Sequence, residues 1–204
     1  MAYRQLREML LTGRLVPGEK LKIDGLREVL DVGASPIREA LSLLVSDQLV
    51  VRHEQRGFRA ADAGRDNFNE ILDLRSTLEG KALRQSMARA TPEWIEGLVV
   101  VHHRMTRAKT AGTEAFEVEH KNFHMALIGN CNSPVMLRIC DQLYDLNIRY
   151  RYIAGQSKDY KGRKVDDEHQ VILGAVIAED TEKAVAQLLL HYEKTGDFLK
   201  AYIE

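Results

Sequence analysis

LKIDGLREVLDVGASPIREALSLL, residues Leu21 to Leu44, decides the fold of the first part of the chain. Leu21, Leu26, Val29 and Leu30 make one stripe of helical period, and Ile37, Ala40, Leu41 and Leu44 make a second. Asp31-Val32-Gly33 supplies turn residues between them, so the stretch reads as two short helices joined by a tight turn. Ser35 is placed to cap the second helix, and Pro36 to occupy its first position, where a missing N–H costs nothing. Arg38 and Ser42 then face outward. In a helix-turn-helix the start of the second helix enters the major groove, which makes Ser35, Pro36 and Arg38 candidates for contact with bases or phosphates. An ordinary helical hairpin in an all-α core fits these residues equally well.

The residues that follow favour DNA. Leu49-Val50-Val51 is a short β-branched run, Arg52 to Gly57 is a polar turn ending in glycine, and Phe58 to Ala61 returns as a second strand. A helix-turn-helix followed directly by a basic-tipped hairpin is a winged helix. The wing carries Arg52, Arg56 and Arg59 against the single Glu54, and its tip can lay Arg56 and the Gly57 backbone on a phosphate or in the minor groove.

GRLVPGEKL at Gly13 to Leu21, ASPIREALSLL at Ala34 to Leu44, the LVV strand and the RGF wing tip occur here in that order. Together they resemble the bacterial GntR-type transcriptional regulators, in the subgroup similar to the fatty-acid regulator, which has an all-helical effector domain. The resemblance covers essentially the whole chain. It implies Arg38 and the wing as DNA-contacting positions. Asp24 and Ala34 stand where relatives often have base-reading arginines, so the operator cannot be carried over. The resemblance also implies several residues ahead of Met1, making the first helix, MAYRQLREMLL, a shortened one.

Two hundred and four residues with 45% hydrophobic content suffice for two small domains with their own cores. The small residues and glycine of AADAGR, Ala60 to Arg65, mark the boundary. This gives residues 1–62 as a winged helix-turn-helix and residues 66–204 as a helical effector-binding and dimerisation domain. A net charge of -1 excludes whole-protein attraction to nucleic acid, so any footprint on double-stranded operator DNA must be local. Through Arg65 the balance is +2, and over the remainder -3. So small a phosphate term calls for two modules acting together, hence a homodimer. Cys131 and Cys140, nine apart, form no metal or disulfide framework and read as reduced thiols of a cytoplasmic protein. No apolar run reaches membrane-spanning length, and the first eleven residues form an amphipathic helix and no signal peptide.

Beyond the boundary every segment reads as helix. Phe68, Ile71, Leu72, Leu74, Leu78, Ala82 and Leu83 form a stripe ending near Arg89. Thr91-Pro92-Glu93 starts a second helix through about Lys109, Thr113 a third, and Asn132-Ser133-Pro134 a fourth reaching about Ile153. A polar loop is expected at Gly155 to Gly162, then a helix from Lys164 to Ala178, then one capped by Asp180 that reaches the C-terminus. The expected fold is mainly α, a winged helix-turn-helix followed by an antiparallel helical bundle.

Four of the seven histidines can meet in that bundle. His120 and His124, four apart, project from one face of the third helix. His169 lies ten residues before Glu179 and His191 twelve after it. In an antiparallel hairpin, rises of about 15 Å and about 18 Å bring these two to nearly one height. Four imidazoles at one level suit a divalent transition metal, zinc or nickel above others. The plainer alternative, lone polar residues on separate helices, is preferred for the adjacent His102 and His103.

The resemblance sharpens this picture. It implies metal ligation by the histidine of Phe123-His124, by His169 and by His191, with His120 replacing the family's aspartate. An all-histidine shell leaves the ion its full charge, which favours a small carboxylate as further ligand. The stretch from Phe123 to Ile153 further resembles glutarate-responsive, carbon-starvation-associated repressors, which implies a dicarboxylate effector. Arg75 in LDLRSTLEG falls where relatives place a pocket-facing arginine, with Arg149 and Arg151 as alternatives. Solvated faces with buried stems are the bland reading of all three.

A histidine-bound metal is also how a hydrolase begins. The chain has no phosphate loop, no Gly-x-Ser-x-Gly elbow and no His-Glu-x-x-His, and Glu168 beside His169 points about 100° away from it on a helix. The reading adopted is a regulator, with a metal-dependent hydrolase as the alternative.

Overall fold

The computed structural model describes residues 1–111, 113–155 and 165–203. The expected polar loop, from residue 156 onward, and Lys164 lie outside them. No described helix is long and apolar enough to cross a membrane. The chain forms two compact units, dividing after Asn69, Tyr144 and Phe198.

The first unit opens with α1 (Ala2–Leu11), β1 (Lys20–Leu21), α2 (Ile23–Leu30), α3 (Ala34–Ser46), β2 (Val50–His53) and β3 (Gly57–Ala60). Leu6 and Leu10 of α1 are buried, as are Ile37, Leu41 and Leu44 of α3, and the two helices pack together. Tyr3 on α1 donates to Asp47 Oδ2 at 2.7 Å just past α3. The α2–α3 turn hinges on Asp31, in the left-handed region at φ 49°.

Several local expectations give way here. Helix α3 begins at Ala34, with Gly33 as N-cap and no side-chain cap bond. Ser35 and Pro36 therefore occupy the second and third helical positions. Pro36 remains free of cost because the first-turn N–H groups have no intrahelical partner. Leu21 is buried, but in a strand, and Val29 is 67% exposed. With α2 starting at Ile23, only Leu26 and Leu30, four apart, share its buried face.

The sheet has a third strand that the sequence does not announce. Its order is β1-β3-β2, all antiparallel, with Val50 opposite Ala60, His53 opposite Gly57 and Lys20 opposite Arg59. Gly18 permits the approach of β1: its φ is 74°, and a Cβ there would come within 2.8 Å of Asp62 Oδ1.

The remaining helices are α4 (Arg65–Met87), α5 (Pro92–Ala108), α6 (Thr113–Ile128), α7 (Pro134–Gly155), α8 (Val165–Ile177) and α9 (Thr181–Lys200). Their starts follow local chemistry. Thr91 accepts a bond from Trp94 N ahead of Pro92, and Asp180 Oδ1 accepts from Lys183 N at 3.0 Å. The core of the second unit gathers Leu83, Leu98, Met105, Phe123, Leu127, Cys140, Ile172, Val176 and Leu188. Leu74, expected on the buried stripe of α4, is exposed. A Cβ on Gly196 would crowd the tip of the Leu72 side chain, so α9 lies close to α4 one turn past Tyr192.

The C-terminal part of α7 belongs to the first unit. There Asp145 pairs with Arg7 of α1, Arg149 Nη2 donates to Ala61 O at 2.7 Å, and the Tyr150 hydroxyl lies 2.8 Å from Asn67 Oδ1.

Candidate metal centre and nucleic-acid interface

In the second unit the spacing of four residues on α6 puts His120 and His124 on one face, and α8 and α9 add His169 and His191. All four are buried, none more than 2% exposed. One nitrogen from each falls within 4.8 Å of the others. Tetrahedral zinc–nitrogen bonds near 2.1 Å set ligands about 3.4 Å apart, so the widest pair of this cluster would close by a little over an ångström on an ion. The donor set fits a borderline divalent ion. Phe123 presents its ring to His169 and His124, centroids 5.4 and 6.0 Å away, and walls the cluster with apolar surface.

Each of three rings is held from behind. His191 Nδ1 lies 2.6 Å from Glu168 Oε2, His124 Nδ1 3.0 Å from the Tyr192 hydroxyl, and His120 Nδ1 2.5 Å from the Tyr144 hydroxyl. With Nδ1 engaged, an ion would be met by Nε2, the arrangement by which outer partners orient metal-binding imidazoles.

Arg75 and Glu79 are buried behind the tyrosines, 4% and 1% exposed. Arg75 Nε donates to Glu79 Oε1 at 2.7 Å, and its guanidinium lies 4.9 Å from the Tyr144 ring centre and 4.6 Å from that of Tyr192. Burial disfavours the Arg75 charge, but the Glu79 carboxylate together with Tyr192 and Tyr144 more than offsets this and holds the guanidinium above its ordinary range. Burial, reinforced by Glu79, pushes Tyr192 well above the usual phenol range, so its hydroxyl keeps its proton. Cys140 is pushed up to about 12 by burial and then by Glu79, which leaves it a thiol.

The structure thus brings Arg75 to the histidine cluster through its tyrosines. Arg149 and Arg151 are buried in the first unit. His102 lies edge-on to Phe123 at 5.3 Å, and His103 is exposed. Sequence reasoning missed Tyr144, Tyr192 and Glu79, and assigned Glu168 no partner. One signal was available: Arg75 and Glu79 are four apart on a helix and opposite in charge. A surface hollow of about 830 Å³ lined by Arg104, Arg107, Thr110, Glu114 and Glu119 includes none of the four histidines.

On the winged helix Ser35, Pro36 and Arg38 are exposed at the start of α3, and Arg52, Arg56 and Gly57 on the wing. Arg59 Nη1 reaches back to Gly18 O at 2.9 Å, while the Arg52 guanidinium stands 6.0 Å from the Phe58 ring centre. Arg56 sits at the hairpin tip, where Gln55 and Gly57 both take positive φ.

A winged helix-turn-helix joined in one chain to an all-helical unit is an architecture of DNA-binding transcriptional regulators. Residues 1–59 match the bacterial regulatory proteins of the gntR family and residues 70–194 match the FCD domain. The chain belongs to the GntR family of transcriptional regulators and carries an FCD domain. It is 32% identical to the HTH-type transcriptional regulator BphR of Paraburkholderia xenovorans over 98% of this chain and 84% of that one. It is 29% identical to the HTH-type transcriptional repressor GlaR of Escherichia coli, over 93% and 90% of the two chains. Among solved structures, Escherichia coli McbR/YncC superposes with a TM-score of 0.82 at 22% identity, covering 97% of this chain and 94% of that one. These relatives are regulators, and the chain is a regulator rather than a hydrolase.

Proposed function

We propose that this protein is a cytoplasmic repressor, a homodimer on double-stranded operator DNA. Residues 1–62 read the DNA, and residues 66–204 bind the effector and the partner subunit. Ser35, Pro36 and Arg38 contact the major groove and Arg52, Arg56 and Gly57 the phosphates or minor groove. That the GlaR relative is a transcriptional repressor supports repression.

His120, His124, His169 and His191 hold a divalent ion, zinc or nickel, and the observation that carries this is their four buried nitrogens within 4.8 Å. Four neutral ligands leave the site cationic, which favours a small carboxylate such as glutarate as a further ligand. Arg75, whose guanidinium lies against the Tyr144 and Tyr192 rings beside the cluster, takes the effector-binding role. Effector binding shifts the equilibrium between two states of different DNA affinity by its differential affinity for them.

Elemental analysis and native mass spectrometry of the purified full-length protein test the reading, followed by gel shifts with and without glutarate. One metal per chain, a dimer mass and a carboxylate-dependent change in DNA retention are expected. Metal-free protein indifferent to added zinc and nickel would overturn the metal assignment.

A further inference from the structure

A neutral imidazole carries a hydrogen on one nitrogen and a lone pair on the other, and only the lone pair can meet a cation. Which nitrogen is which at His124 follows from its neighbour. The Tyr192 hydroxyl has a single proton, and it is donated to Glu79 Oε2. Arg75 Nη2, a donor with no acceptor capacity, faces the same hydroxyl oxygen at 3.3 Å, and Arg75 Nε occupies the other Glu79 oxygen at 2.7 Å. With its proton committed, the Tyr192 oxygen meets His124 Nδ1, 3.0 Å away, only as an acceptor. His124 must then be the donor, with its hydrogen on Nδ1 and its lone pair on Nε2.

We propose that Tyr192, oriented by Glu79 and Arg75, is a positioning residue that locks His124 in the Nδ1–H form and so presents Nε2 to a divalent cation. This rests on the metal reading above. His191 reaches the same form by another route, since its Nδ1 faces the Glu168 carboxylate, which in ionised form only accepts. The phenol does at His124 what the carboxylate does at His191, without adding a charge beside the ring.

The tautomer is read directly by nitrogen-15 NMR of the imidazoles in the metal-free full-length protein at about pH 8, which makes no use of metal binding. His124 is expected as Nδ1–H in the natural protein and as a mixture of forms in Tyr192→Phe, which keeps the ring over Arg75 and loses only the oxygen. Zinc affinity, measured by competition with a chromophoric chelator, should fall about 10- to 100-fold in Tyr192→Phe. It should be unchanged in Tyr150→Phe, which also loses a hydrogen-bonded hydroxyl, but in the first unit. A natural protein with His124 as Nε2–H, or a folded Tyr192→Phe with undiminished zinc affinity, overturns the proposal. If the natural protein binds no zinc, the metal reading falls and the proposal's cation with it, while the NMR spectrum still decides the tautomer. Should Tyr192→Phe fail to fold, that spectrum alone decides.

Discussion

Glu168 sits directly before His169 on α8, yet its carboxylate holds His191 Nδ1 of α9 at 2.6 Å. Successive helical residues diverge by about 100°, so the same turn of α8 points one side chain into the cluster and the other at the back of a ring on the next helix. Glu168→Ala should therefore lower zinc affinity about 10- to 100-fold by freeing the His191 ring, although no ligand is removed. The Glu168 side chain is 17% exposed, and the fold itself should survive. Zinc affinity equal to the natural protein's would show that the contact does not orient His191.

The buried Arg75–Glu79 pair gives a stability prediction. Glu79→Ala strands a buried guanidinium without its counter-charge, a change that costs about 3–5 kcal/mol. The double replacement Arg75→Met with Glu79→Leu removes both charges and should recover much of that loss. Urea unfolding of the three proteins decides the matter, and a Glu79→Ala protein as stable as the parent would mean that Arg75 finds another partner.

How much of this was legible beforehand depends on how local each feature is. The turn at Asp31, the wing, the Thr91 and Asp180 caps and the two histidine pairs follow from spacings along one helix or across one turn, while the meeting of the α6 pair with His169 and His191 depends on how three helices pack. Strand β1 is only two residues long, too short to show a period, and exists because β3 offers it an edge. Tyr144 and Tyr192 were missed because a helical tyrosine reveals a role only once the facing helix is known. The grouping of α7 from Asp145 onward with the first unit likewise depends on Arg7, Ala61 and Asn67, residues some 80 to 140 positions away.

That grouping has a consequence for truncation. A fragment of residues 66–204 keeps all four histidines and the Asn67 bond to Tyr150, but loses Arg7 and Ala61, which hold Asp145 and Arg149. It should fold as a helical protein and bind zinc. Amides of α7 after Tyr144 should exchange with solvent much faster than in the full chain, and amides around His120 and His124 at similar rates. Uniform protection along α7 would show that this part of the helix does not depend on the first unit.

For the DNA interface, Arg38→Ala should weaken operator binding by about 1–3 kcal/mol if the side chain reads a base, with relaxed discrimination at that base. Arg56→Ala, at the wing tip, should instead weaken binding to all sequences alike and lower the salt slope by about one. Gel shifts at several salt concentrations separate the two. Unchanged affinity of Arg38→Ala on every sequence would mean that α3 does not enter the groove as assigned.

The four histidines should act as a set. A metal held by His120, His124, His169 and His191 ties α6 to α8 and α9, so its binding free energy adds to the stability of that unit. Zinc at 100 times its dissociation constant should stabilise the folded protein by about 2.7 kcal/mol, visible as a raised melting temperature. His169→Ala and His191→Ala should each lose most bound metal, most of that shift and the response to a carboxylate, while the winged helix stays folded. His102→Ala is the control, since its ring packs edge-on to Phe123 without joining the set. His120→Asp should retain metal through its carboxylate but bind an anionic effector more weakly, because the ligand set gains a negative charge. A melting temperature indifferent to zinc, nickel and manganese in the natural protein would dismiss the ion. The cluster would then be a buried imidazole network.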